Sequence, residues 1–296
     1  MGIALFGAGA TWFMLQGEPP PPPRPAHIKP APVAVPKPAE LKLTQLSGTV
    51  EVKDKDGKWR VASEGDTLKP SDGVRTQDGA YAVLVGGEYW EVKMEPGTEV
   101  EVGELSESIS KILLGSGMAH AKVRGTNNKH LFEVKSKKGD AAARTAAGTF
   151  TVASNGEGTV AVATEEGEVE LEGKGRVVIV RAGQRSVVLP GQAPSDPIAV
   201  PSSLLLKVAL PAVSLTNKGK ITVVGQTEPG TRVEIGGHVV HVDATGRFNT
   251  QMSLVEGKNA LDVKAVSVGG VQASSSHSVE RDTHVRQVTI DKNLWK

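Results

Sequence analysis

Ala80-Tyr-Ala-Val-Leu-Val85, followed by Trp90-Glu-Val-Lys-Met94 and Glu95-Pro-Gly-Thr-Glu-Val-Glu-Val102, is the stretch that decides the fold. Apolar and polar residues alternate here with a period of two, the spacing at which side chains share one face of a β-strand. Gly, Asp, Asn or Pro closes each run, as turns require. The pattern extends in both directions. Upstream lie Leu41/Leu43, Gly48-Thr-Val-Glu-Val52 and Asp72-Gly-Val-Arg-Thr76. Downstream come Ala119–Val123, Leu131–Val134, Thr149–Val152, Val160–Val162, Gly167-Glu-Val-Glu-Leu171, Val177–Val180 and Ser186–Leu189. Short strands at such regular spacing predict a β-solenoid or flattened β-roll over residues 41–192, although no strict repeat length is visible. One segment is ambiguous. Leu105, Ile109, Ile112 and Leu113 have helical spacing, which suggests a short helix capping the sheet.

A second β unit is expected over residues 210–280, after a linker at 193–209 that carries prolines 194, 197 and 201. Its strands flank a Pro229-Gly230 turn and an Asp243-Ala-Thr-Gly246 turn, and the strand density predicts an immunoglobulin-like sandwich. Residues 281–296 read as a tail or an edge strand. The chain is thus predicted all-β, in keeping with 34 Gly, 18 Pro and only four Trp, two Tyr and five Phe among 296 residues.

The N-terminus has a different character. Residues 1–17 contain an uncharged apolar run, Ile3 to Leu15, shorter than the ~20 residues of a full bilayer span. It reads as the outer part of a membrane anchor or as a signal-like core, and the proline-rich segment after it favours the anchor. Residues 18–40 include the five consecutive prolines Pro19–Pro23 and five more by Pro38. Proline fixes φ and lacks an amide donor, so this stretch suits a polyproline spacer. Together these features suggest a domain held off the inner membrane in a periplasm.

Net charge is +1, with both signs spread along the chain, so nucleic acid is not an expected partner. The absence of Cys excludes disulfides, thiolate metal sites and a cysteine nucleophile. Catalytic, cofactor and metal sites are all expected to be absent. His238 and His241 fall on opposite faces of a strand, and His120 and His130 are expected on neighbouring strands without forming a metal site. Glu99/Glu101 and Glu166/Glu168/Glu170 alternate as the solvated faces of amphipathic strands. Two groups remain as candidate contacts for a protein or glycan. Lys135, Lys137 and Lys138 form a local cationic patch, and Tyr89 and Trp90 offer rings for stacking on a sugar, with core packing as the alternative.

Residues 44–186 resemble the FecR family of bacterial periplasmic domains. The resemblance is carried by Gly65-Asp66, Asp72-Gly-Val-Arg-Thr-Gln-Asp-Gly-Ala-Tyr-Ala-Val-Leu84, Glu95-Pro-Gly-Thr-Glu-Val-Glu-Val102, Ala143-Arg-Thr-Ala-Ala-Gly-Thr-Phe-Thr-Val152, Gly158-Thr-Val-Ala-Val162 and Glu166-Gly-Glu-Val-Glu-Leu171. The last region is similar to bacterial Ig-like domains through Gly225-x-Thr-x-Pro-Gly230, Asp243-x-x-Gly-x-Phe248 and Gly257-x-Asn-x-Leu261. The resemblance implies location and fold. The best-known FecR proteins relay a transport signal to an extracytoplasmic-function sigma factor through a cytoplasmic segment, and little precedes the apolar run here. The leading expectation is therefore a membrane-tethered, non-enzymatic scaffold that binds envelope proteins through strand edges. Alternatives are a FecR-type signal transducer and a module binding peptidoglycan or polysaccharide.

Overall fold

Glycines let two long strands turn corners, and those corners close the first domain into two layers. A computed structural model describes residues 40–54, 56–125, 130–210 and 215–284. The expected anchor and nearly all of the proline spacer lie outside these residues, and so do 285–296 of the expected tail. No helix among the described residues is long and apolar enough to cross a membrane.

The first strands are β1 (Leu41–Ser47), β2 (Val50–Lys53), β3 (Trp59–Val61), β4 (Thr67–Leu68) and β5 (Gly73–Thr76). Next come β6 (Tyr81–Gly86), β7 (Trp90–Met94), β8 (Glu99–Leu105) and the long β9 (Ile109–Val123). They are followed by β10 (Leu131–Ser136), β11 (Ala142–Thr145), β12 (Gly148–Ser154) and the long β13 (Val160–Gly173). β14 (Arg176–Arg181), β15 (Gln184–Val188) and β16 (Ile198–Ala199) complete the domain.

These strands make two facing sheets. Sheet A runs β4-β1-β6-β7-β9-β12-β13-β15-β16, and sheet B runs β3-β2-β5-β8-β9-β10-β11-β13-β14. β9 and β13 belong to both. The N-terminal half of β9 pairs in B and its C-terminal half in A, and β13 crosses in the opposite sense. Gly117 (φ 95°) and Gly167 (φ 76°) stand at the two bends. A side chain on Gly117 would place its Cβ 2.4 Å from the Thr98 backbone, so this corner requires glycine on both counts.

The alternation read from the sequence supplies the core. Val92, Ala119, Ala121, Val160 and Val162 point inward from A, and Val74, Val100, Ile112, Leu114, Val169 and Leu171 from B. The fold is all-β, as expected, and a two-layer roll. The helix expected over 105–114 does not form. Ser106–Ser108 make a turn, with the Ser106 hydroxyl bonded to Ile109, and Ile109 onward is strand.

The structure also reveals an internal duplication. Val74-Arg-Thr-Gln-Asp-Gly-Ala-Tyr-Ala-Val83 recurs 69 positions later as Ala143-Arg-Thr-Ala-Ala-Gly-Thr-Phe-Thr-Val152. Each copy ends a sheet B strand (β5, β11), crosses at the glycine and opens a sheet A hairpin (β6–β7, β12–β13) before returning to B. In each copy the threonine hydroxyl holds the crossing. Thr76 donates to the Glu95 carbonyl at 2.7 Å, and Thr145 to the Glu168 carbonyl at 2.8 Å.

The second domain has β17 (Lys207–Ala209), β18 (Leu215–Thr216), β19 (Lys220–Gln226), β20 (Arg232–Ile235) and β21 (His238–Val240). It ends with β22 (Arg247–Ser253), β23 (Gly257–Val266) and β24 (Gln272–Arg281). A three-stranded sheet, β17-β19-β22, faces a five-stranded one, β18-β24-β23-β20-β21. Val223, Phe248, Val233, Ile235, Leu261 and Val263 fill the space between them.

The 193–209 segment differs from a free linker. Ile198 and Ala199 pair with β15, the Ser195 N–H bonds the Val187 carbonyl, and β17 joins the sandwich. The described residues belong to one compact unit, 37–296.

Candidate functional site

The outer face of sheet B carries several groups of ion pairs spread across its strands. Arg75 Nε donates to Glu51 at 2.7 Å, and its guanidinium lies 4.1 Å from the Trp59 ring centroid. Lys53 reaches Glu101 at 3.9 Å. Lys137 bonds Glu101 at 2.9 Å and Glu99 at 3.5 Å. Lys111 meets Glu133 at 3.3 Å, and Arg144 joins Glu133 to Glu172. The titrations follow this geometry. Burial pushes the Glu133 carboxyl up, but the Arg144 hydrogen bond, with the charges of Arg144 and Lys111, holds it below the usual range. The Arg75 hydrogen bond lowers Glu51, and the Glu101 hydrogen bond raises Lys137.

These ion pairs reassign several residues singled out from the sequence. Lys135 and Lys138 are exposed, while the Lys137 ammonium is already committed to two carboxylates. The cationic patch is therefore half of a charge-matched face. Trp90 is only 2 % exposed and lies 4.8 Å from Phe132, beneath Gly86, so its ring is core and cannot stack on a glycan. Tyr89 stacks on His130 at 4.6 Å. His130 is buried and bonds the Glu107 carbonyl and the Ser110 hydroxyl. His120 lies on β9 and His130 leads into β10, which pairs with β9 as expected. His130 enters beside the start of β9, however, while His120 lies near its other end, in sheet A, so the two side chains are not brought together.

The second candidate surface is the seam where the sandwich docks on the outer face of sheet A. Met118, Ala153, Ala161, Ala163, Val187 and Val200 meet Val268 there. The approach is close because both sides are small. A Cβ on Gly230 would lie 2.2 Å from the Ala161 Cβ, and one on Gly97 2.9 Å from Val239.

Polar groups fix the register of the seam. Asp78 accepts the Val239 N–H at 2.9 Å and holds His238 Nδ1 at 2.9 Å. Arg185 pairs with Glu228, His241 lies 3.3 Å from Glu157, and Asn155 donates to the Val242 carbonyl at 3.4 Å. Glu95 receives Lys93 at 2.8 Å and His120 at 3.4 Å from its own domain, and Arg232 at 4.0 Å from the sandwich. A cleft of about 210 Å³ remains along the seam, bordered by Gly97, Gly117, Ser154, Arg232, Val239 and His241. Nothing in the sequence pairs these segments. The signal was the row of outward alanines in Val160-Ala-Val-Ala163, which has meaning only once Gly230 stands opposite.

Glu95 gives the first domain a pH dependence. The His120 hydrogen bond, then the Lys93 contacts, bring its carboxyl down to about 2 from 4.5 against the opposing effect of burial. A depressed carboxyl stabilises the fold above its unfolded value and loses that contribution as pH falls through its folded value. Urea midpoints measured between pH 5 and 2 are expected to fall more steeply for the native chain than for Glu95→Gln. Parallel curves would show that Glu95 carries none of this dependence.

Glu256, Asp282 and His284 bring ligand atoms within 4.8 Å of one another at the far end of β24. The Thr283 backbone N–H is the largest influence holding Glu256 below the usual carboxylate range. It also donates to Glu256 at 2.9 Å. The geometry permits a surface cation and assigns it no role.

Residues 72–170 match the family model described as FecR protein. No curated protein matches the chain. Two crystal structures of a candidate anti-sigma factor from Parabacteroides distasonis ATCC 8503, at 1.65 and 2.50 Å, are similar at 17% identity and a TM-score of 0.36. The alignment covers 42% of this chain and 59% of theirs, so the chain spans less than two thirds of their length.

Proposed function

We propose, starting from the FecR domain that residues 72–170 form, that this chain acts as a signal transducer of the bacterial cell envelope, non-enzymatic and worked by protein contacts. The family match is the observation that carries this reading, because FecR domains belong to regulatory proteins. The apolar run and proline spacer in the sequence support a location on the periplasmic side of the inner membrane, and the FecR match supports an extracytoplasmic-function sigma system as the output. The seam supports a mechanical role. A partner engaging either domain acts on a body whose two halves are bonded at several points, so contact at one half reaches the other.

A plain scaffold makes the same contacts but needs no change of state. The two separate in one experiment. Deleting the gene, and restoring it, is expected to change transcription from a sigma-dependent promoter in the same cells, while crosslinking in intact cells captures a protein partner. Capture with no change in transcription would leave the scaffold. Reproducible absence of any captured protein would overturn both. Retention on peptidoglycan is the outcome that favours the glycan module, although the buried Trp90 and the paired Lys137 weigh against it.

A further inference from the structure

We infer that β14 is an open docking edge that accepts an extended strand from a partner protein, with apolar side chains at alternate positions and a carboxylate at the end facing Arg181. The inference rests on the protein-contact reading above and names where that contact is made. Among the described residues β14 is the last strand of sheet B and pairs on one side only, with β13.

Two observations define which of its backbone groups are free. The Lys174-Gly175 turn has positive φ at both residues (48° and 76°), as in the tight hairpin whose closing pair, Gly173 and Arg176, is hydrogen-bonded. Bonded pairs alternate along an antiparallel ladder, so Val177 and Ile179 turn their N–H and C=O outward. The same parity follows from the other end, where the Arg181 N–H bonds the Gln184 side chain at 3.0 Å and not β13. Among the described residues, no other group meets the backbone of Val177 or Ile179.

The side chains suit a strand rather than solvent. Arg176-Val-Val-Ile-Val-Arg181 is an apolar β-former throughout its centre, and Val177 is 51 % exposed. Beneath it the two layers gape into a groove of about 430 Å³ bordered by Val178, Ile179, Gln184 and Pro197, with Ile198 exposed nearby. A strand added to β14 would send every second side chain into that groove. The β3 and β22 edges lack this combination. β3 is three residues long and tied down by Arg60–Asp66, while β22 is polar at Asn249, Gln251 and Ser253.

Charge decides the occupant. Arg181 is exposed with no ion pair among the described residues, while at the other end Lys174 holds the Gly191 carbonyl and Arg176 pairs with Asp196. Two copies of β14 joined antiparallel through Val177 and Ile179 would place Arg181 of one beside Lys174 and Arg176 of the next. A strand with a carboxylate at the end facing Arg181 meets that unpaired charge favourably.

The test uses the full chain and a synthetic probe, acetyl-Glu-Val-Thr-Val-Thr-Val-Glu-amide, with a Lys-ended counterpart. The acidic probe is expected to slow amide exchange over residues 176–181 and to bind at least tenfold more weakly to Arg181→Glu, which should prefer the Lys-ended probe. Ile179→Pro, which removes one outward N–H, is expected to lose binding. Arg181→Glu lies in solvent and serves as the variant whose fold is not at risk. Protection elsewhere, or affinity indifferent to Arg181→Glu, would overturn the inference. So would protection of 176–181 that rises with protein concentration without probe, which would seat a second copy there. In cells, Arg181→Glu that leaves partner capture and transcription unchanged sinks this edge alone, whereas no capture in the native strain sinks the wider function.

Discussion

Replacing Phe132 by alanine is expected to destabilise the first domain by about 3–5 kcal/mol, the usual cost of truncating a fully buried aromatic. Phe132 lies on β10 in sheet B, completely buried. Its ring meets two rings from sheet A, Trp90 at 4.8 Å and Phe150 at 6.3 Å, both tilted. Tilted pairs at these separations add to simple burial. Among the described residues no other buried ring joins the two layers in this way. Gly86 has no room for a side chain because the Trp90 indole fills it, 2.2 Å from where a Cβ would stand. If Trp90 settles into the cavity left by Phe132→Ala, it opens a void over Gly86 in its place. Chemical denaturation checks the value, with Phe132→Leu expected to retain most of the stability. A loss below about 1 kcal/mol for the alanine variant would mean that the layers hold together without this contact.

Much of this architecture was legible in the residues, and the misses have physical causes. The period-two alternation of Val83/Val85, Trp90/Val92/Met94 and Val100/Val102 identified strands because one face of each sheet is buried. Trp90 followed the same alternation, and its place opposite Phe132 was the packing alternative to a sugar contact. The helix expected at 105–114 failed because β9 has apolar residues on both faces. Ile112 and Leu114 point into the core while Ile109 and Leu113 are half-buried on the outside, and two interleaved rows imitate helical spacing.

The remaining misses were non-local. The 69-residue duplication was hidden because the copies keep the Arg-Thr pair and the glycine but exchange most other side chains. The prolines at 194, 197 and 201 suggested a free connector. Proline is tolerated at a sheet edge, however, and Ser186, Ser195 and Arg176 with Asp196 bind the segment down. Lys137 looked available because its partners, Glu99 and Glu101, come from a strand more than thirty residues earlier. Alternation reports which face a residue takes, and it carries no information on which strand lies beside it.

Ala161→Leu is the change expected to separate the two domains. Ala161 is fully buried on the outward face of β13, where only an alanine and a glycine fit between the domains. Overpacking a tight contact costs about 1–3 kcal/mol when neighbours can shift. Here the neighbour is the Pro229-Gly230 turn, and Gly230 stands at φ 79°, a backbone that cannot relax without rebuilding the turn. Undocking is the cheaper response, and it also releases the Arg185–Glu228 pair and the Asp78 hydrogen bonds. Calorimetry should resolve two transitions where one is expected of the native chain, and amide exchange should rise at 151–163 and 228–240 while the strand cores of both domains keep their protection. Arg185→Glu is expected to weaken the same seam and Arg185→Glu with Glu228→Arg to restore it, which separates docking from any injury to β15 itself. One transition at an unchanged temperature in Ala161→Leu would mean that the domains are not energetically coupled. A signal received by one would then have no route through this seam to the other.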